Sequence, residues 1–221
     1  MVRRAALGGV LLPVSKLLGR PVRVLGLEKV ELVSGPVIFA SNHQSHLDTA
    51  LILASLPARR RYRAAVAMWK EYFEARFHPE DHTRGERRKT NLLYSLIVLL
   101  FNAFPIPQTE SGTLATVRYM GELVEEGWSI VIFPEGERTV TGEIGRFPPG
   151  GRMLAARLGC AVVPVRLRGI YRVWPRGERR PRWARMLGGA GAEVRFGEAV
   201  IPEAGNYAEI AARVEDAVRR L

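Results

Sequence analysis

Cysteine is almost missing from this sequence. Cys160 stands alone among 221 residues, which excludes an internal disulfide framework and fits a reducing compartment. Opening an apolar stretch, it reads as a packing residue rather than a nucleophile. Negative charge is also scarce, with 22 Asp and Glu against 33 Lys and Arg and a net charge of +11. Such a surface seeks phosphate, on nucleic acid, on anionic lipid headgroups or on a phosphorylated substrate. Long hydrophobic runs are lacking, since none reaches the roughly 18 uninterrupted apolar residues of a spanning helix. Ala5 to Val14 is broken by Gly8, Gly9 and Pro13, and Leu92 to Phe104 by Tyr94, Ser95 and Asn102. Each is a candidate for membrane contact or for a core helix. Arg3-Arg4 before an apolar run has the flavour of a signal peptide, but no convincing small-residue cleavage site precedes Lys16 and Arg20. Residues 1–20 are therefore expected to stay, as an amphipathic, membrane-associating segment ahead of one domain spanning 21–221.

What the sequence does have is 47% hydrophobic residues, enough for a substantial core. Apolar runs at 36–41, 62–68, 129–133 and 161–167 read as strands, with shorter ones at 22–30 and 193–196. Helical patterns fall between them, at 48–56, 69–80, 92–104, 114–126 and 152–158, and one closes the chain from an Asn206 cap. Within 114–126, Leu114, Val117, Met120, Gly121 and Val124 share a face. The charged stretch His78 to Lys89 lacks apolar periodicity and reads as an exposed loop. Alternating strands and helices predict a single α/β domain with a mostly parallel central sheet flanked by helices.

The first chemical signal is Ser41 to Asp48, at the turn from strand 36–41 into the following helix. On a continuous helix His43 and Asp48 would lie about 140° apart, too far to hydrogen-bond, so His43 belongs to the loop. Ser45-x-x-Asp48 has the spacing of a capping box, with Ser45 as N-cap and the Asp48 carboxylate reaching back toward the entering chain. There it can accept from one imidazole nitrogen, fix the tautomer and leave the other nitrogen to take a proton from a hydroxyl, or it merely caps the helix beside a polar loop histidine, the reading that spacing alone favours. The second signal is Phe133-Pro134-Glu135-Gly136-Glu137-Arg138-Thr139. A buried strand ends in a tight loop where Gly136 permits close backbone approach and Arg138 offers a forked donor for phosphate; spacing alone fits equally a polar turn with an ion pair from Glu135 to Arg138. Both follow the carboxyl end of a strand, where open α/β sheets bind ligands.

The words Asn42-His43-Gln44-Ser45-His46-Leu47-Asp48 and Phe133-Pro134-Glu135-Gly136-Glu137-Arg138-Thr139 resemble two ordered signatures of the glycerolipid acyltransferase family. Its best-known members are lysophosphatidic acid (1-acylglycerol-3-phosphate) O-acyltransferases. The resemblance covers about residues 36–170. It implies His43 as general base, Asp48 as its orienter, and acceptor or phosphate contacts for Glu135, Gly136 and Arg138. Val163-Pro164-Val165 matches a further family word, Pro164 suggesting an edge or bulge and a pocket wall. The departure is at Phe104-Pro105-Ile106-Pro107-Gln108, where Gln108 stands at or near the arginine usual in the family. Glutamine can hydrogen-bond phosphate without adding charge, so Arg138, Lys70 or a cation of the 84–89 stretch would supply it.

The resemblance implies transfer of an acyl group from acyl-coenzyme A or acyl carrier protein to the free hydroxyl of 1-acylglycerol-3-phosphate. It implies no cofactor and no metal, and a chain peripheral at the cytoplasmic face of a cell membrane with an anionic surface as partner. Gln108 keeps open another lysophospholipid or an acylated amino-acid acceptor. The basic surface keeps open a non-catalytic lipid-binding module. Between Arg172 and Arg185 lie six arginines, one glutamate, Trp174 and Trp183, a composition that suits a solvated basic face or an anionic membrane surface. No nucleic-acid motif accompanies it, and no nucleic acid is expected as partner.

Overall fold

The computed structural model describes residues 22–106, 113–147, 158–182, 191–202 and 207–221. The proposed segment 1–20, residues 152–157 of the expected helix 152–158, the Asn206 cap, Trp183 and Gln108 lie outside them, and Leu158 is in a turn. Seven strands form one sheet in the order β1-β7-β6-β2-β5-β3-β4. They are β1 (Arg23–Leu25), β2 (Ile38–Ser41), β3 (Ala64–Trp69), β4 (Ala103–Ile106), β5 (Ser129–Ile132), β6 (Val162–Arg168) and β7 (Glu193–Phe196). The five strands from β6 to β4 are mutually parallel, β7 runs antiparallel to β6, and β1 follows β7. The expected fold class is the one observed.

The helices among the described residues are α1 (Leu27–Glu31), α2 (Asp48–Ser55), α3 (Ala58–Arg61), α4 (Glu74–Phe77), α5 (Arg84–Phe101), α6 (Thr113–Glu125) and α7 (Tyr207–Arg220). The strands are apolar on both faces, so each face needs a helical cover. On one side Phe39, Val66, Val131 and Val165 pack with Leu51, Ile52 and Leu53 of α2, Val30 of α1, and Ile97 and Phe101 of α5. On the other, Ile38, Ala65, Ile130 and Val162 meet Met120 and Leu123 of α6 and Ile210 and Val214 of α7.

Several expectations are corrected. The predicted loop 78–89 is largely helix: α5 starts at Arg84, where Thr83 Oγ1 accepts from the Glu86 N–H and the Glu86 carboxylate accepts from the Thr83 N–H. That capping box starts a helix whose first turns are exposed all round, so no apolar period announces them. The predicted helix 92–104 ends at Phe101, because Asn102 takes a left-handed C-cap conformation. The chain then enters edge strand β4, whose single neighbour lets Pro105 sit without a ladder donor. Residues 69–80 form short 3-10 and α turns rather than one helix, and Tyr62 follows α3 instead of opening a strand. Leu114, assigned to the buried face of α6, is 76% exposed. Pro164 sits on no edge, since β6 is flanked by β2 and β7. The bulge is present, however: Val165 pairs with Phe196 and Val162 with Val200, leaving one extra residue opposite Pro164.

Candidate active site

Four parallel neighbours, β6, β2, β5 and β3, deliver their carboxyl ends to one edge of the sheet, and the candidate residues gather there. Asn42 leaves β2 and continues its pairing by side chain. Its Nδ2 donates to the Leu167 carbonyl at 3.1 Å and its Oδ1 accepts from the Leu167 N–H at 2.7 Å. This anchors the loop start to β6.

His43 comes next, held on every side. Its Nδ1 lies 2.7 Å from Asp48 Oδ2, its N–H donates to Glu135 Oε1 at 2.8 Å, and its carbonyl accepts from the Thr139 N–H at 2.8 Å. Its ring stacks on Phe133, centroids 4.0 Å apart. The side chain stays 21% exposed while Asp48 is 0% exposed. Asp48 Oδ2 also accepts from the Gln44 N–H at 2.5 Å and the Ser45 N–H at 2.8 Å, whereas Oδ1 is buried without a partner among the described residues. A carboxylate is acceptor-only, so Nδ1 carries the proton and Nε2 presents a lone pair. The capping box is half formed. Asp48 reaches back as expected, but Ser45 Oγ accepts from Leu47 N–H and the regular helix starts later, behind Leu47.

Glu135 braces the two loops together. Besides His43 it takes the Gly145 N–H at 2.7 Å through Oε2. Burial pushes its carboxyl up, while these two backbone bonds pull it down. Gly136 has φ +81°, and a Cβ there would lie 2.5 Å from the Trp69 ring. A side chain is refused on both counts. Arg138 follows, half-buried. Desolvation is the main cause lowering its pKa, with Arg176 acting the same way and Tyr72 and Asp48 opposing. Among the described residues no carboxylate lies within ion-pair reach of it, which leaves its fork available. Lys70 emerges at the end of β3, but its ammonium lies over the Phe77 ring at 5.1 Å.

The segment after β6 folds over this edge and keeps Arg172, Arg176, Arg179 and Arg180 exposed, as a solvated basic face would. The Tyr171 hydroxyl donates to the Val140 carbonyl, Arg176 pairs with Glu137, and Trp174 packs on His46 at 4.9 Å while its indole donates to the Glu178 carbonyl. Sequence reasoning missed these contacts, and those of Asn42, Gln44 and Phe133, although the last three stood inside the quoted words. Gln44 Nε2 donates to the Gly142 carbonyl at 3.0 Å.

His46 sits between Tyr72 and Trp174. Desolvation first, then Arg138 and His43, lower its pKa from 6.5 to about 4. Between these two pH values the unfolded chain binds the proton and the folded one does not, so stability falls as pH drops through the window. Solvent at the open part of the ring trims the effect. His46→Gln is expected to flatten the Tm profile between pH 6.5 and about 4. A variant profile parallel to the wild type would refute the assignment.

Several known proteins are similar to this chain. A chloroplastic 1-acyl-sn-glycerol-3-phosphate acyltransferase of Arabidopsis thaliana is 26% identical over 157 residues, 71% of this chain and 38% of that protein. Its counterpart in Brassica napus is 26% identical over 155 residues, 70% and 39% respectively. This chain thus matches well under two thirds of those relatives' length. The crystal structure of the 1-acyl-sn-glycerophosphate acyltransferase from Thermotoga maritima superposes with a TM-score of 0.66 at 22% identity, over 99% of this chain and 79% of that one, a likeness of fold. The family described as Acyltransferase matches residues 21–168, the span that holds both motif loops and the strands that carry them, and the chain belongs to that family.

Proposed function

We propose that this chain transfers a fatty acyl group from an acyl thioester, acyl-coenzyme A or acyl carrier protein, to the free hydroxyl of 1-acylglycerol-3-phosphate. The observation that carries the reading is the His43 imidazole, clamped through Nδ1 at 2.7 Å from a fully buried carboxylate. Its Nε2 has no partner among the described residues. The relatives' names support the acceptor.

His43 Nε2 takes the proton of the acceptor hydroxyl as that oxygen attacks the thioester carbonyl carbon. The new C–O bond forms, the C–S bond breaks, and the leaving thiolate recovers the proton from the imidazolium. Asp48 holds the ring and supports its transient positive charge. No covalent acyl-enzyme is required, and no cofactor enters beyond the acyl donor. Arg138 binds the acceptor phosphate, with Gly136 letting the backbone approach. Because that acceptor resides in a bilayer, the protein works as a peripheral protein at the cytoplasmic face of the cell membrane.

Acyl transfer from labelled acyl-coenzyme A and acyl carrier protein to a panel of lysophospholipids tests the reading. Product from lysophosphatidate is expected, with Arg138→Ala raising the acceptor KM about 10- to 100-fold, the worth of a charge-assisted hydrogen bond. Product only from an acceptor without a phosphomonoester would keep the chemistry and overturn the substrate. No product from any acceptor would overturn the activity.

A further inference from the structure

α5 is 18 residues long and contains no buried residue. Its inner side is settled: Ile97 and Phe101 lie against the core, and Tyr94 stacks edge-on with Phe73 and Phe77. The outer side has Leu92, Leu93, Leu96 and Leu99 exposed by 63, 39, 45 and 40%. At about 100° per residue these four leucines share one stripe with Arg88 and Lys89; Glu86, the helix's one acidic residue, lies at the edge of that stripe, roughly 20° beyond Leu93, where its carboxylate accepts from Thr83. Arg84, Arg87, Arg88 and Lys89 are all exposed. The stripe is therefore cationic at its start and purely aliphatic over the next two turns, about 10 Å further along the axis.

We propose that this face of α5 is the surface by which the protein docks on an anionic lipid bilayer. The inference rests on the lipid acceptor proposed above and names the element that meets the lipid. Charge complementarity selects the occupant: the basic turns match anionic headgroups, and four leucines flush with the outer surface suit the acyl boundary just beneath. A second copy of this chain offers the basic turn only one carboxylate, Glu86 at the edge of the stripe, and that one already accepts from Thr83. The position also suits the chemistry. Tyr94 of α5, Phe73, Tyr72 and His46 form a continuous line of ring contacts at 5.2, 5.0 and 6.4 Å, so the docking helix and the catalytic loop are joined by packed side chains. A lipid surface on α5 brings the motif loops toward the layer from which the acceptor arrives.

The test uses the full chain and cosedimentation with phosphatidylcholine vesicles, with and without phosphatidylglycerol. Wild type is expected to bind the anionic vesicles. Leu92→Gln/Leu96→Gln/Leu99→Gln is expected to weaken that binding by about tenfold or more and to leave transfer to a short-chain, water-soluble acceptor unchanged. Arg88→Glu/Lys89→Glu, whose exposed positions are safe for folding, is expected to lose anionic binding about tenfold at low salt with no effect on neutral vesicles. Wild-type binding by both variants overturns the proposal, as does loss of binding in Leu11→Gln/Leu12→Gln alone, which would assign docking to the N-terminal segment. A drop from dimer to monomer in the leucine variant with vesicle binding retained also overturns it, in favour of a second copy. Loss of vesicle binding in the leucine variant, from a wild type that acylates nothing, would sink the activity and leave the docking surface standing.

Discussion

His43→Ala is expected to lower kcat by about three to four orders of magnitude, the upper part of what a positioned general base supplies, with the fold intact. The imidazole contributes one buried contact face, on Phe133, and its backbone bonds to Glu135 and Thr139 survive truncation. Asp48→Asn separates charge from geometry unusually well. All three donors, His43 Nδ1, Gln44 N–H and Ser45 N–H, converge on Oδ2, while Oδ1 has no partner among the described residues. An asparagine carbonyl placed at Oδ2 keeps all three hydrogen bonds and turns its amide into the unpartnered position. The loss then measures electrostatic support of the imidazolium, expected at about 10²-fold in kcat. Steady-state rates beside a thermal melt check both variants. An alanine variant with undiminished kcat removes His43 from the chemistry, and an asparagine variant as poor as the alanine one shows that the carboxylate does more than carry charge.

The contact between His43 and Asp48 was legible because every part of it is local, while its reading as a base and its orienter rested on the family resemblance. Strand 36–41, the five-residue offset and the helix start lie within one short stretch, and periodicity places each. The second loop was legible as an apolar strand ended by Pro134, and its link to the acceptor came from the resemblance alone. The sheet followed from the alternation of apolar strands with helical patterns along the chain. What escaped reading was set by partners far along the chain. Asn42 is a strand extension only because Leu167 lies beside it, 125 positions away, and Gln44 meets Gly142 at a separation of 98. The arginine and tryptophan segment carried a surface composition, yet Gly169 turns the chain so that Trp174 and Arg176 fall on the motif loops. The start of α5 was hidden because a helix with no buried face leaves no period, although Thr83 and Glu86 spelled its cap.

Glu135 is where family resemblance and geometry give different expectations, and kinetics decides between them. The resemblance implies a contact with the acceptor. The structure uses both carboxylate oxygens on backbone N–H groups, those of His43 and Gly145. Glu135→Ala leaves the part-buried His43 N–H and the exposed Gly145 N–H without this acceptor, a loss of about 1 to 3 kcal/mol for the His43 group and less for Gly145, which water reaches. Removing the burial cost of the carboxylate returns part of that. Glu135→Gln is the sharper probe, since its amide can accept from one N–H but must turn its NH₂ toward the other. Either way the tether on the His43 backbone slackens. A base displaced by about an ångström costs roughly 10²-fold in rate, so kcat is expected to fall about 10- to 100-fold with the acceptor KM changed less than about twofold. Arg138→Ala should show the opposite split, a raised KM over a kcat closer to wild type. If Glu135→Gln instead raises the acceptor KM and spares kcat, the carboxylate meets the acceptor during turnover, and the loop must release His43 or Gly145 to let it do so.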